Sequence, residues 1–349
     1  MFFASDNWAG AHPAIAANLS RHADGFAAAY GASDLDKKIE HTFNNIFERE
    51  VAVFFVGTGT AANALALASV NRPGGVSFCH REAHLIEDEC GAPEYFTGGA
   101  RLHPVDGALG RIDPRLLEKE LARFPPGFVH AGQPMAVSIT QATEVGTLYG
   151  LDEIRAVSGV CKSHGLPLHM DGARFANALV SLGCTPAEMT WKSGVDVLSF
   201  GGTKNGCWCA EALVFLNPAQ AKDLPFIRKR AAQLFSKTRF IAAQFDAYFE
   251  DGLWLDLARH ANAVTASLAT LIRASETMRL AWEPQANETF VILKKAEAER
   301  LRAAGAVFYA WNPPHDAGIE LGADEEIARL VTSFATAEDE VERFAKLLG

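Results

Sequence analysis

The chain has 349 residues, of which 49% are hydrophobic and 21% charged, and its formal net charge is −10. At roughly 100–200 residues per domain this length fits one large and one smaller domain, and the composition excludes a disordered chain. The acidic balance argues against nucleic acid as a partner, because neutralising phosphates requires clustered Lys and Arg, but it leaves room for a small anion held by a local pair of arginines.

The opening Met1-Phe2-Phe3-Ala4-Ser5-Asp6 carries no basic leader, so no secretory signal is expected. No apolar run approaches the ~18 residues a membrane span needs. Six cysteines (79, 90, 161, 184, 207, 209) are scattered and read as buried reduced thiols, which suits the cytoplasm. Cys207 and Cys209 could be half of a metal site, but no second Cys/His pair completes it, so no metal is expected.

Leu35, Ile39, Phe43, Ile46 and Phe47 recur at helical spacing, with Asp34 as the expected N-cap. Val51–Val56 reads as a buried strand, followed by Gly57-Thr58-Gly59-Thr60 and an Ala/Leu-rich helix to about Val70. The alternation then repeats. Strands are expected at Gly75–Cys79, Val137–Thr140, Pro167–Met170 and Val195–Phe200, and helices at Leu116–Arg123, Leu151–Lys162 and Ala173–Leu182. Such alternation implies an α/β fold whose sheet is mainly parallel and covered on both faces. After Pro218 the pattern predicts one long helix over Phe226–Phe249 and another over about Leu253–Ala274, then short strands near Thr289–Leu293 and Ile327–Val331. The expected division is 1–249 for an N-terminal segment and large domain, and 250–349 for a small α/β domain.

Three segments carry chemistry. In the turn from Gly57 to Asn63, small residues before a helix let backbone N–H groups close on a phosphate, and Thr58 and Thr60 add hydroxyls. It matches neither G-x-G-x-x-G nor the P-loop pattern, so a plain tight turn is the competing reading. Asp171-Gly172-Ala173-Arg174 lies where a strand ends, the position at which open α/β sheets bind ligands. There Asp171 either caps its helix or keeps a heterocyclic nitrogen protonated. Lys204, set among Gly201, Gly202 and Gly206 after an apolar strand, is poorly explained as a surface charge; an amine in such a pocket can form an imine. Glycine-rich turn, Asp after a strand, Lys after the next strand is the order used by pyridoxal 5'-phosphate (PLP) enzymes of the aminotransferase fold.

Ser5-Asp6-Asn7, Tyr30-Gly31, Gly57–Asn63, His84, Asp171–Arg174, Lys204 and Ala328–Thr332 together resemble the threonine aldolases, fold-type-I PLP enzymes of the β-eliminating-lyase group, over nearly the whole chain. The resemblance implies that Lys204 carries the cofactor, Asp171 faces its ring nitrogen, and Thr58, Gly59 and Thr60 hold its phosphate. Ser5, Arg174 and Arg329 would grip the substrate carboxylate, a task suited to guanidinium forks. His84, with His80 as rival, would stack on the cofactor and help take the substrate hydroxyl proton. Arg239 would reach the phosphate of a neighbouring subunit, in a homotetramer of dimers with shared active sites. Where many members read Asn-Thr-His, this chain reads Ile139-Thr140-Gln141. Gln141 cannot exchange protons near neutral pH, and it is placed beside the cofactor.

The implied activity is cleavage of L-threonine, L-allo-threonine or related β-hydroxy-α-amino acids such as phenylserine to glycine and an aldehyde. Another PLP-dependent β-eliminating lyase or an aminotransferase is the alternative, followed by a non-enzymatic nucleotide-binding protein. A dinucleotide dehydrogenase is disfavoured, because the turn lacks that fingerprint.

Overall fold

The computed structural model describes residues 1–315 and 317–348. The first sheet has seven strands: β1 (Ala52–Val56), β2 (Gly75–His80), β3 (Arg101–Val105), β4 (Gln133–Thr140), β5 (Leu168–Gly172), β6 (Val197–Gly201) and β7 (Glu211–Phe215). Their spatial order is β1-β7-β6-β5-β4-β2-β3. The pairs β2–β3, β2–β4, β4–β5 and β5–β6 are parallel, as the alternation of strand and helix predicts. Only β7 runs against its neighbours β1 and β6. β3 and β7 were not foreseen, and β7 matters most, because it joins the first strand of the chain to β6.

A second, antiparallel sheet has the order β10-β11-β9-β8, built from β8 (Met278–Leu280), β9 (Glu288–Lys294), β10 (Tyr309–Trp311) and β11 (Glu325–Val331). The Leu253–Ala274 helix, foreseen with these bounds, links the two sheets. Its first turns bury Trp254, Leu257 and Ala258 in the main core, and its last turns bury Leu268 and Ile272 against β9 and β11 residues. Phe3 also packs in the second core, and Phe2 bridges Val307, so the chain's start is tied to its C-terminal third.

Two local expectations are corrected. The first predicted helix runs from Asp34 to Ile46, but its N-cap is Ser33, not Asp34. Asp36 reaches back to the Ser33 N–H (3.2 Å) while the Ser33 hydroxyl accepts from Asp36 N (3.1 Å), a reciprocal pair that Asp34 could not make. The long helix expected over Phe226–Phe249 is two, Leu224–Arg230 and Arg239–Phe249. Ala232 adopts a left-handed φ of 58° between them, and the broken segment turns Gln233 and Phe235 back onto Gly57. All six cysteines are free, but only Cys79, Cys161 and Cys207 are buried, and Cys90 is exposed.

An aromatic core anchors the strand that precedes Lys204. Phe200 is fully buried and meets Phe43 edge-on at 5.3 Å, with Phe175, Phe245 and Trp254 also within 6.0 Å. Such ring pairs add ~0.5–1.5 kcal/mol each beyond their area burial. The end of β6 is therefore held rigidly, which fixes the residues that follow it.

Candidate active site

The register of the sheet explains how distant residues converge. Glu211 opens β7 opposite Val56 on one side and Gly201 on the other, while Asp171 lies opposite Ser199 on β6 and Thr140 on β4. Because β7 is antiparallel to both neighbours, the carboxyl ends of β1, β5 and β6 share one edge, where open α/β sheets bind ligands. Space is tight there: a Cβ on Gly201 would fall 2.7 Å from the Ala173 carbonyl oxygen, so no side chain fits. A cavity of about 260 Å³ opens on this edge. Its lining includes Asn7, Gly57–Thr60, Asn63, His84, Glu144, Asp171, Ala173, Thr203, Lys204 and Glu211.

At the end of β1 the Gly59–Ser69 helix begins with Thr58 as N-cap, its hydroxyl accepting from Ala61 N at 3.1 Å. The N–H groups of Gly59 and Thr60, first in the helix, have no intrahelical acceptor. No atom lies within 4 Å of the place a Gly59 Cβ would occupy. Gly57 N–H donates to the Gln233 amide oxygen at 3.1 Å, bracing the turn from behind. Open donors plus the positive end of a helix dipole suit a phosphate.

Asp171 is buried at the end of β5. Its Oδ2 accepts from Asn63 Nδ2 at 2.8 Å and its Oδ1 from Ala173 N at 3.0 Å. The same Asn63 nitrogen donates to Glu89 Oε1 at 2.8 Å, and that oxygen also meets His84 Nδ1 at 2.9 Å. A line of side chains thus runs from Asp171 through Asn63 and Glu89 to His84. Burial pushes the Glu89 carboxyl up, against the hydrogen bonds from His84 and Asn63. The hydrogen bond to Glu89 raises His84 above its ordinary value; burial opposes this, while the charges of Glu144 and Asp171 reinforce it. Glu89 fixes the ring through Nδ1, leaving Nε2 for the cavity. The rival His80 is used elsewhere: its Nε2 meets the Gly107 carbonyl at 2.9 Å and its Nδ1 accepts from Glu82 N at 3.1 Å.

Lys204 sits in the single turn Thr203–Asn205 after β6. The turn is pinned by Asn205 Nδ2, which donates to the Tyr248 hydroxyl and the Trp254 carbonyl, both at 2.8 Å, and by Thr203 Oγ1, which accepts from Ala210 N at 3.2 Å. The half-buried Lys204 amine has no hydrogen bond or ion pair among the described residues. Its charge is felt by Asp6 and by Glu211. Burial pushes the Glu211 carboxyl up to about 7, against the Thr203 hydrogen bond and the Lys204 charge.

The expected carboxylate grip looks different in detail. Ser5 does not line the cavity; its hydroxyl accepts from Asn7 N at 3.2 Å, and Asn7 is the lining residue. Arg174 is buried and fully engaged. Its Nε and Nη2 donate to the two Asp6 oxygens at 2.7 and 3.0 Å, and Nη1 lies 3.2 Å from Glu288. Arg329 does not line the cavity either, but it is freer: it stacks on Trp311 at 4.2 Å, lies 3.6 Å from Glu288, and its buried Nε has no partner among the described residues.

Gln141 is engaged within its own loop. It is fully buried and does not line the cavity; its amide donates to the Tyr149 carbonyl at 2.9 Å and accepts from Tyr149 N at 3.0 Å. Arg239 is likewise outside the cavity of its own chain, donating to the Gly25 carbonyl at 3.2 Å. Asn63, Glu89, Glu144 and Glu211 were not foreseen as site residues. An acid opening the apolar run Glu211-Ala212-Leu213-Val214-Phe215 was the one available signal; the others are visible only in three dimensions.

A helix end with open N–H donors, a braced carboxylate and a lysine without a partner among the described residues thus meet on one sheet edge, at the carboxyl ends of the strands. A model of the family described as beta-eliminating lyase matches residues 3–346. Low specificity L-threonine aldolases from a Pseudomonas strain and from Pseudomonas aeruginosa are each 41% identical over 328 residues, covering 94% of this chain and 94% of theirs. The solved threonine aldolase of Leishmania major superposes with a TM-score of 0.91 at 30% identity, covering 99% of this chain and 98% of that one. The chain belongs to the beta-eliminating lyase family, and its fold is that of the type-I PLP enzymes. Among the described residues, no helix is long and apolar enough to cross a membrane.

Proposed function

We propose that the chain is a PLP-dependent threonine aldolase, cleaving L-threonine and related β-hydroxy-α-amino acids to glycine and an aldehyde. The observation that carries this reading is the unpaired Lys204 amine in a cavity that also presents Asp171 and the open N–H groups of Gly59 and Thr60. These residues fit PLP: Lys204 for its carbonyl carbon, Asp171 for its ring nitrogen, and Thr58, Gly59 and Thr60 for its phosphate. When bound, the cofactor supplies a sink for the electron pair left at Cα.

Asp171, held by Asn63 and the Ala173 N–H, keeps a proton on the ring nitrogen opposite it. Arg329 grips the substrate carboxylate, which sets the Cα–Cβ bond as the one that breaks. Arg174 acts as a positioning residue, fixing Asp6 and hence Asn7 at the cavity wall. Glu288 contacts both arginines; burial pushes its carboxyl up against their charge, which lowers the repulsion an incoming carboxylate meets. His84, held toward its protonated form by Glu89, would donate a hydrogen bond to the substrate oxygen. Lys204 would return a proton to Cα.

Arg239 faces away from its own cavity, which supports the reading that it serves the phosphate of a neighbouring subunit in a tetramer of shared sites. The test is direct. Purified protein with PLP is assayed for glycine and acetaldehyde from L-threonine, against pyruvate and ammonia or keto-acid exchange for the alternative chemistries. Glycine and acetaldehyde, lost in Lys204→Ala with the fold retained, are expected; near-normal turnover in that variant would sink the assignment.

A further inference from the structure

The loop after β4 uses almost every polar group it has to hold its own shape. Gln141 clamps Tyr149 at both ends of its amide. The Thr143 and Thr147 hydroxyls meet at 2.8 Å, and Thr147 also donates to the Leu109 carbonyl at 2.6 Å. From outside, the Gln285 amide oxygen accepts from Leu148 N at 2.6 Å, and the Trp282 indole donates to the Val145 carbonyl at 2.8 Å. Glu144 is the exception. It is 7% exposed, lines the cavity, and its carboxylate has no hydrogen-bond partner among the described residues. A nearly buried carboxylate on a rigid loop is costly unless a ligand completes it.

Its surroundings say which ligand atom. The Glu144 charge acts on His84, Arg174 and Glu288, and Glu144 shares the cavity lining with His84. It also lines an adjoining hollow of about 330 Å³ with Trp311, the ring on which Arg329 stacks. Glu144 thus lines both the cavity that holds Lys204 and the hollow beside the Arg329–Trp311 stack. The other candidates are less suited: Asp171 holds two donors, Glu211 accepts from Thr203 N at 3.4 Å, and His84, held toward its protonated form by Glu89, has a proton to give rather than a site to take one.

We propose that Glu144 is the base that takes the proton of the substrate β-hydroxyl group, an assignment that rests on the aldolase reading above. The O–H bond breaks as the proton moves to a Glu144 oxygen. The oxygen's electron pair becomes the second bond of the aldehyde carbonyl as the Cα–Cβ bond breaks, and that bond's pair is left at Cα. Cα then takes one proton and Glu144 gives one to water, so the proton count closes.

The test uses Glu144→Gln and Glu144→Asp holoenzymes, with two reactions measured on each: L-threonine cleavage, and hydrogen–deuterium exchange at Cα of glycine, which has no β-hydroxyl. In Glu144→Gln cleavage falls by about 10²–10⁴-fold, the usual range for losing a general base, while glycine exchange stays within a few-fold of the parent. Glu144→Asp recovers part of the loss. In the cofactor-free protein, NMR titration of His84 moves to lower pH in Glu144→Gln, because one neighbouring negative charge is gone. Cleavage within a few-fold of the parent in Glu144→Gln overturns the assignment, and so does an equal loss of cleavage and exchange. If the parent itself neither cleaves nor exchanges, the aldolase reading has failed and Glu144 falls with it.

Discussion

Arg174 forks onto Asp6, with both carboxylate oxygens bonded at 2.7 and 3.0 Å, although 168 residues separate the two in sequence. This buried pair ties the N-terminal segment to the end of β5. Burial by itself would raise Asp6, but the Arg174 charge and the hydrogen bonds from Arg174 and Asn287 outweigh it and hold the carboxyl below its ordinary value. The stability Asp6 contributes is therefore present above the usual carboxylate range and is lost as pH falls through its lowered value.

Arg174→Met leaves Asp6 and Glu288 buried without their shared cation. Breaking a buried pair from one side costs about 3–5 kcal/mol, so denaturant melts of the cofactor-free chain should show a loss of that order. Arg329→Ala, by contrast, removes a more accessible group. Its expected effect is a raised KM for L-threonine with a small change in stability, and an unchanged KM argues against the carboxylate role.

Gln141 gives a sharper test of what its side chain does. If the amide is a clamp on Tyr149, Gln141→His introduces an imidazole but leaves a buried Tyr149 backbone group without its partner. The expected result is no gain in turnover and a stability loss of about 1–3 kcal/mol, the cost of an unsatisfied buried group. An increase in turnover, measured with either phenylserine diastereomer, would show that the position faces the reaction.

Glu211 makes a prediction about pH. Its folded value, about 7, lies above the ordinary 4.5, so the folded chain binds this proton more tightly than the unfolded one. The sign follows: the contribution is fully present below the ordinary value and fades as pH rises toward the raised one. The lost stability is on the order of 3 kcal/mol. Glu211→Gln, which mimics the protonated form, should flatten the decline in melting temperature between pH 5 and pH 8 in the cofactor-free protein. A decline as steep as the parent's would contradict the assignment.

The part of the site that follows strand ends was legible in the sequence, and the part built from side-chain partnerships was not. Apolar runs bounded by glycine mark β1, β5 and β6, and the residues just beyond them, Thr58, Asp171 and Lys204, come together because parallel strands align their ends. β7 escaped notice because an acidic residue opens it, yet its register sets Lys204 beside the Gly57 turn. Arg174 was expected to face substrate because a guanidinium suits a carboxylate. Sequence could not show that the chain supplies its own carboxylates, Asp6 and Glu288, for that arginine. Likewise, sequence could not show that Gln141 holds Tyr149 while Glu144, three residues on, lines the cavity.

Lys204 as the carrier of the cofactor can be read directly. Protein loaded with PLP is reduced with borohydride, digested, and its lysine-containing peptides are weighed by mass spectrometry. The yellow colour should bleach, and the reduced cofactor's mass should lie on the peptide containing Lys204, and on no peptide in Lys204→Ala. Cofactor mass on another lysine, or none on any, would contradict it.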